Sequence, residues 1–461
     1  MGRTRVVSDY IAGAATTPLS AATVELGRLH LLDTLASVVA CRDLDAARVA
    51  ARFVELRSPT QQVGGGSATI LGTRQLVPLV DAAFAGAMTA HAAEINDFIP
   101  SVFVQPGPAV VATALAVGEH VGASGREVLG ALVAGYELAA RVPRALGGAN
   151  LRRAGIASHG VGACFGAATA AAALWPLSPE RVADLLSLTA QQAAGSWQWL
   201  LDVEHVEKAF VFAGMGARNG LEAVLLVEAG YRGVPDALDR PGTWFTGSSG
   251  DDRGHGDLDE LVRDLGDQSV LTDTAFKRYP VGGPAQPAVE ALLHLRRSSL
   301  PSADDVERIR IAMPGRFEAF RDAAMPALNL RYLASIIVLD GTLDFVAAQS
   351  RQRMREDPAV LELMARVEVS HDEAQESAPG EPRAESARVT VQRRDGSALE
   401  HFVPHVLGFP SHPMTAADVE AKALELTVPH LGAARAHALV QASSALDSVT
   451  SADLVALIAD R

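Results

Sequence analysis

Cysteine is almost missing from this chain, with two, Cys41 and Cys164, in 461 residues. Each sits in an apolar run, ASVVACRD and GVGACFGAA, where an unpaired cysteine serves as a small core hydrophobe. No disulfide framework is therefore expected, and a reducing, cytoplasmic setting is. Charge is also sparse: 20% of residues are charged, below the ~25% of ordinary soluble domains, while 48% are hydrophobic. That balance excludes disorder as the main state and predicts extra surface covered in an oligomer. Positive charge is in deficit, 40 Lys and Arg against 54 Asp and Glu for a net −14. Nucleic acid and anionic membrane are thereby argued against as partners, and an anionic substrate would need a local basic pocket.

Several motifs are missing as well. No window reaches the ~18 uninterrupted apolar residues of a spanning helix. The first fifteen residues, MGRTRVVSDYIAGAA, carry two arginines but no apolar signal-peptide core. HEXXH, paired CxxC and a clustered His/Asp triad are absent, so no metal site is expected. There is neither a Gly-x-Ser-x-Gly elbow nor a dinucleotide fingerprint. Gly64–Gly66 are followed by no Gly-Lys-Ser/Thr and read as a connector rather than a phosphate loop.

What is present is mostly helix. The chain exceeds the roughly 250–300 residues of one core, so two domains are expected. Ser20 offers an N-cap to SAATVELGRLHLLDTLASVVA, with Leu26, Leu29, Leu32, Leu35 and Val38 at helical spacing. Small-residue helices follow at 45–56, 77–91, 108–119, 125–146, 159–174, 179–193 and 207–230, with a short extended piece at SATILG. Past the acidic stretch 249–268 the period changes to strand-like alternation at 307–313, 366–370, 387–393 and 400–406, with Asp395–Gly396 as a hairpin turn. Helical segments at 284–297, 328–340 and 358–364 intervene, and 371–388 reads as an exposed loop. The expected fold is mainly α: a large all-α helical domain from both chain ends, 1–268 and 407–461, with an inserted smaller α+β, lid-like domain at 269–406.

Four polar islands could carry chemistry. HAAEINDFIPSVFVQPGP at 91–108 sets His91, Glu94, Asn96, Asp97 and Gln105 among apolar flanks. Buried unpaired, each costs on the order of 1–3 kcal/mol, so they pair with one another or await a ligand. In HGVGACFG, His159 opens a glycine-rich helix whose N-terminus disfavours imidazolium and leaves a neutral ring for proton transfer; a packing or capping histidine is the alternative. In DVEHVEKAFVFAGMGARNG, Lys208 stands between acids and an apolar run, either in a solvated ion pair or pointing inward. In TAFKRYPVGGPAQPAVEALLHL, Lys277, Arg278 and Tyr279 precede a turn that launches a helix, either a linker or the basic pocket a carboxylate needs.

At these islands the sequence resembles the MmgE/PrpD family, whose members include 2-methylcitrate dehydratase, cis-aconitate decarboxylase and iminodisuccinate epimerase. AAFAGAMTAHAAEINDFIPSVFVQP is similar to the family's AAF-NG-AAH-LDFDD followed by HP. The histidine before a glycine-rich helix, the lysine ahead of ARNG, the F-K-x-Y-P turn, NLRYLASIIVLDG and GFPSHPMTAADVEAKALEL extend the match over essentially the whole chain. The resemblance implies a homodimer without metal or organic cofactor, an active site in the cleft between domains, and a small-molecule carboxylate substrate. By position, Asp97, His159, Lys208, Lys277 and Tyr332 match the family's functional residues, with His159 and Tyr332 as proton-transfer groups. Lys208, Lys277 and Arg278 form the implied cationic clamp, and His91 and Gln105 complete the substrate-binding set. Gln105 stands where the family commonly has histidine, and Glu94-Ile95-Asn96-Asp97 replaces DFDD. The activity implied is proton transfer next to a carboxylate, by dehydration, decarboxylation or isomerisation/epimerisation; these changes weigh against a dehydration that uses that histidine, favour isomerisation, epimerisation or a changed substrate, and leave open a silent homologue that only binds a carboxylate or a partner.

Overall fold

The computed structural model describes residues 2–57, 66–240, 244, 256–298, 302–378 and 385–460. Most of the triple-glycine connector, residues 249–255 of the acidic stretch and 379–384 of the expected loop lie outside the described residues. The chain divides into two compact units: Met1–Ala92, Asn96–Thr274 and Ala416–Arg461 form one, Ala93–Ile95 and Ala275–Thr415 the other. The protein is mainly α, as the sequence led us to expect.

The first unit is built from α1 (Arg3–Gly13), α2 (Ala21–Cys41), α3 (Asp45–Arg57), the short antiparallel strands β1 (Ser67–Thr69) and β2 (Leu76–Pro78), and α4 (Leu79–Ala90). It continues through α5 (Pro106–Val121), α6 (Gly125–Leu146), α7 (Gly148–Arg153), α8 (Ser158–Leu174), α9 (Pro179–Gln192), α10 (Val206–Ala209) and α11 (Met215–Glu228). The cap expected at Ser20 is present, and α6 carries one not anticipated from the sequence. Ser20 Oγ accepts from Thr23 N at 3.1 Å at the head of α2. At α6, Ser124 and Glu127 form a reciprocal capping box that holds the Glu127 carboxyl below its ordinary range, chiefly through the Ser124 side chain. α8 packs between α6, α11 and α5, and its residues from Ser158 to Ala173 are buried. Cys41 and Cys164 are buried as thiols, and burial pushes Cys164 up to about 12.

The last helices of the chain, α18 (Ala416–Leu431), α19 (Ala433–Ser444) and α20 (Ser451–Ile458), belong to this same unit. α18 packs on α2, where Lys422 donates to Asp33 at 2.6 Å with both side chains buried. Among the described residues one helical run, Val206–Glu228, is long and apolar enough to cross a membrane, and 67% of its most apolar window is buried within the protein.

The second unit holds a four-stranded sheet ordered β4–β3–β5–β6. β3 (Val306–Met313) runs parallel to β4 (Val367–His371) and antiparallel to β5 (Ala387–Arg393), which pairs with β6 (Ala398–Val403). The Asp395–Gly396 turn closes the last hairpin, with Arg393 N donating to Ser397 O at 2.8 Å. Ile309, Ile311 and Met313 are buried in alternation, and Val306 is buried beyond a shift of register near Arg308. Around the sheet lie α12 (Gln286–Ser298), α13 (Glu318–Arg321), α14 (Leu330–Asp340), α15 (Phe345–Gln349), α16 (Arg351–Glu356) and α17 (Pro358–Met364).

Candidate active site

In the first unit, one aromatic ring gathers three of the expected site residues. The helix anticipated over 207–230 is interrupted by a π turn at Phe210–Gly214, where Met215 N–H donates to the Phe210 carbonyl five residues back. After the turn the buried face runs through Ala217, Gly220, Val224 and Val227. One extra residue in the turn carries that face back to Phe212 and Lys208, which uninterrupted α spacing would not. The Phe212 ring stacks on His159 (3.9 Å between centroids) and on His91 (5.0 Å), and Lys208 Nζ lies 5.2 Å from its centroid. Lys208 is also 5.2 Å over Trp199, whose ring meets Phe212 edge-on at 4.7 Å. A cation against two ring faces in a closed setting gains on the order of 2 kcal/mol.

His159 is the second residue of α8, so its ring stands at the helix start foreseen from the sequence. The segment 193–196 fixes that start: Ala157 N donates to Gly195 O at 2.9 Å, and a β-carbon on Gly160 would lie 2.1 Å from the Ala194 carbonyl oxygen. Gly160→Ala is therefore expected to push the segment off α8 and lower stability by about 2 kcal/mol, the range of overpacking changes, read from urea unfolding. Trp197 and Trp199 also meet the His159 ring edge-on, at 5.6 and 5.1 Å.

The polar island at 91–108 does both things its chemistry allowed. His91 is fully buried at the end of α4 and pairs through Nδ1 with Asn96 Oδ1 at 2.9 Å, while Asn96 donates to Ala90 O at 2.6 Å. Gln105, the N-cap residue of α5, is buried, and among the described residues its Oε1 meets no donor. Asp97 lies apart from this ring cluster in its bonding. Its Oδ2 takes the Tyr136 hydroxyl and His30 Nδ1 at 2.9 Å, and its Oδ1 takes Gly107 N at 3.1 Å. Burial, then Asp97 itself, pushes the Tyr136 phenol well above its ordinary value, which keeps it a donor. His205, in the left-handed region at φ 62°, sets its ring 5.1 Å from His91. Asp202 holds the turn that follows, accepting from Glu204 N and Lys208 N.

The second unit carries the other cations. Lys277 Nζ donates to Glu94 Oε2 at 2.9 Å, and the two side chains are 1% and 2% exposed. The F-K-x-Y-P turn around Lys277 is fixed from both sides. Phe276 N donates to Gly408 O at 2.8 Å, and Gly408, at φ 101°, lies so close to the Phe276 carbonyl oxygen that a β-carbon would come to 2.3 Å. The buried Gln286 amide accepts from Tyr279 N and donates to the Tyr279 and Val281 carbonyls. Arg278 is half-buried with its guanidinium 5.8 Å over Tyr279. Tyr332 is buried in α14, and its hydroxyl donates to Ala347 O at 2.6 Å; burial raises it to about 12, and it makes no bond to Lys277.

The structure thus brings His91, His159 and Lys208 together and pairs Lys277 with Glu94, while Asp97 and Tyr332 are engaged elsewhere. Sequence reasoning did not assign roles to Glu94, Trp199, His205 or Phe212. In a chain with 5% aromatics, the SWQWLL run was the available signal for the ring wall. Among the described residues no three His, Cys, Asp or Glu side chains converge on a metal-sized site.

The MmgE/PrpD N-terminal domain matches residues 5–254 and the MmgE/PrpD C-terminal domain residues 279–448. A cis-aconitate decarboxylase-like protein of Aspergillus oryzae, oryM, is 27% identical over 357 residues, 73% of this chain and 71% of that protein. A cis-aconitate decarboxylase of Aspergillus terreus is 24% identical over 371 residues, 74% of each chain.

Proposed function

Because the chain belongs to the MmgE/PrpD family, we propose that it is an enzyme that moves a proton beside a carboxylate of a small di- or tricarboxylic acid. The observation that carries this reading is the convergence of His159, His91 and Lys208 on the Phe212 ring. It supplies a proton-transfer group at a helix start, a fixed cation and apolar walls that exclude water. His159 is the base or acid that exchanges the proton at carbon. Lys208 stabilises the enediolate-like charge that develops on the adjacent carboxylate, where a preorganised cation is worth several kcal/mol. Lys277, oriented by Glu94, is the second cation for a substrate carboxylate. The open acceptor of Gln105 takes a donor from the substrate but exchanges no proton near neutral pH.

Decarboxylation is the reaction class we favour among the family's three, and the names of the relatives support it. The C–CO2 bond breaks, its electron pair spreads toward a neighbouring carboxylate, CO2 leaves, and carbon takes up a proton. No leaving hydroxyl has to be protonated, so Gln105 in place of a histidine is no obstacle. Asp97 and Tyr332 act in this reading as positioning residues, holding α5 and the α14–α15 junction.

Incubation with cis-aconitate in deuterated solvent, followed by NMR with CO2 detection, tests the proposal. The wild type is expected to release CO2 and place deuterium on carbon, and His159→Ala to slow this by about 10²–10⁴-fold. A wild type that catalyses neither deuterium exchange, CO2 release nor water loss on any di- or tricarboxylate would sink it.

A further inference from the structure

Beside the ring cluster the first unit contains a cavity of about 680 Å3, lined among others by Ser101, Arg144, Arg152, Ser158, Trp197 and Glu260. Ser158 adjoins His159 in the chain, and Trp197 is in edge contact with the His159 ring, so one ring of the cavity wall touches the proton-transfer group. Its charges are unequally satisfied. Arg144 donates to Ser101 Oγ and to Asp273, and the wall acids Asp257 and Glu260 are both paired with Arg263. Arg152 alone of these wall charges has no ion pair among the described residues. Its guanidinium lies 4.4 Å over the Trp197 ring, and Trp197 is itself held by donating through Nε1 to Ile156 O at 3.0 Å.

A guanidinium stacked on an aromatic face keeps its edge donors directed outward while the ring restricts its rotation. That is a preorganised fork for a carboxylate, in a protein whose net charge otherwise repels one. Resting on the reading of the site given above, we infer that Arg152 binds the substrate carboxylate remote from the reacting carbon and so selects di- and tricarboxylates over monocarboxylates. The cavity takes the rest of the acid while its reacting end meets His159 and Lys208. Arg152 is by this inference a specificity-determining residue, outside the set that moves the proton.

The test is calorimetric binding and steady-state turnover of cis-aconitate, with crotonate as the monocarboxylate, on wild type, Arg152→Gln and Arg153→Gln. Arg153 is exposed as Arg152 is, carries the same charge and does not line the cavity, so its variant measures the effect of bulk charge alone. Arg152→Gln is expected to weaken cis-aconitate binding by about three- to tenfold, the loss of a charge-assisted pair at an exposed guanidinium. It should raise KM in step, leave kcat within about threefold and leave crotonate unaffected; Arg153→Gln should bind as wild type does. Binding by wild type without turnover, lost in Arg152→Gln, upholds this site and removes the proposed reaction. Equal binding by wild type and Arg152→Gln overturns the inference, as does equal weakening by Arg153→Gln. Failure of the wild type to bind cis-aconitate or any other di- or tricarboxylate overturns the inference and the proposed function together.

Discussion

Lys277→Met is expected to lower stability by about 3–5 kcal/mol, because it leaves the Glu94 carboxylate buried at 2% exposure without its cation. It should also cut turnover of the folded protein by about 10²–10³-fold, the usual effect of removing one preorganised group that faces developing charge. The two losses have different causes, and the double substitution Lys277→Met with Glu94→Leu separates them. Once both charges are gone, an apolar pair of similar volume should recover most of the stability, since a buried ion pair is worth little more than well-packed side chains. Activity should stay lost if Lys277 is the second cation proposed above, because that cation has not returned. Urea unfolding of the four proteins in the cycle, with kcat/KM measured on each, checks both halves. Recovery of turnover in the double variant would make Lys277 a purely structural residue whose only duty is to neutralise Glu94.

How much of this could be read in advance depended on how local the cause was. α6, β5 and α17 match their expected bounds of 125–146, 387–393 and 358–364, because the periods that mark them lie within a few residues of one another. The Phe210–Gly214 π turn was not legible. Its cause is the need to keep Phe212 and Lys208 on the face that α11 later turns to the core, and nothing within AFVFAGMG states where that face must point. The site divides in the same way. His159 at a helix start could be found from its own neighbours, whereas the ring it stacks on comes from fifty-three positions later and the Glu94 partner of Lys277 from 183 positions earlier. Polar residues among apolar flanks announced that partners must exist, and the physical rule could go no further than that. For His91 the partner proved to be Asn96, five residues on. For Asp97 the partners come from α2, α5 and α6, at separations no local pattern encodes.

That last arrangement yields the second large effect. Asp97→Ala removes the shared acceptor of Tyr136, His30 and Gly107 N, and Asp97, Tyr136 and His30 are all fully buried. Each donor left unpaired costs on the order of 1–3 kcal/mol, and the terms overlap because the three share one carboxylate. A net loss of about 4 kcal/mol is expected, enough to lower the unfolding midpoint of the whole helical unit. Asp97→Asn keeps the shape but offers one oxygen to donors that approach from two sides, so it should lose about half as much. If the carboxylate holds the start of α5 and does not meet the substrate, folded Asp97→Asn protein should keep turnover within about tenfold of wild type, with the change in kcat and not in the pH profile. A thousandfold loss of turnover with an unmoved unfolding midpoint would instead put Asp97 among the groups that exchange the proton. The His30 imidazole and Tyr136 hydroxyl leading away from it would then be a proton path and not a brace.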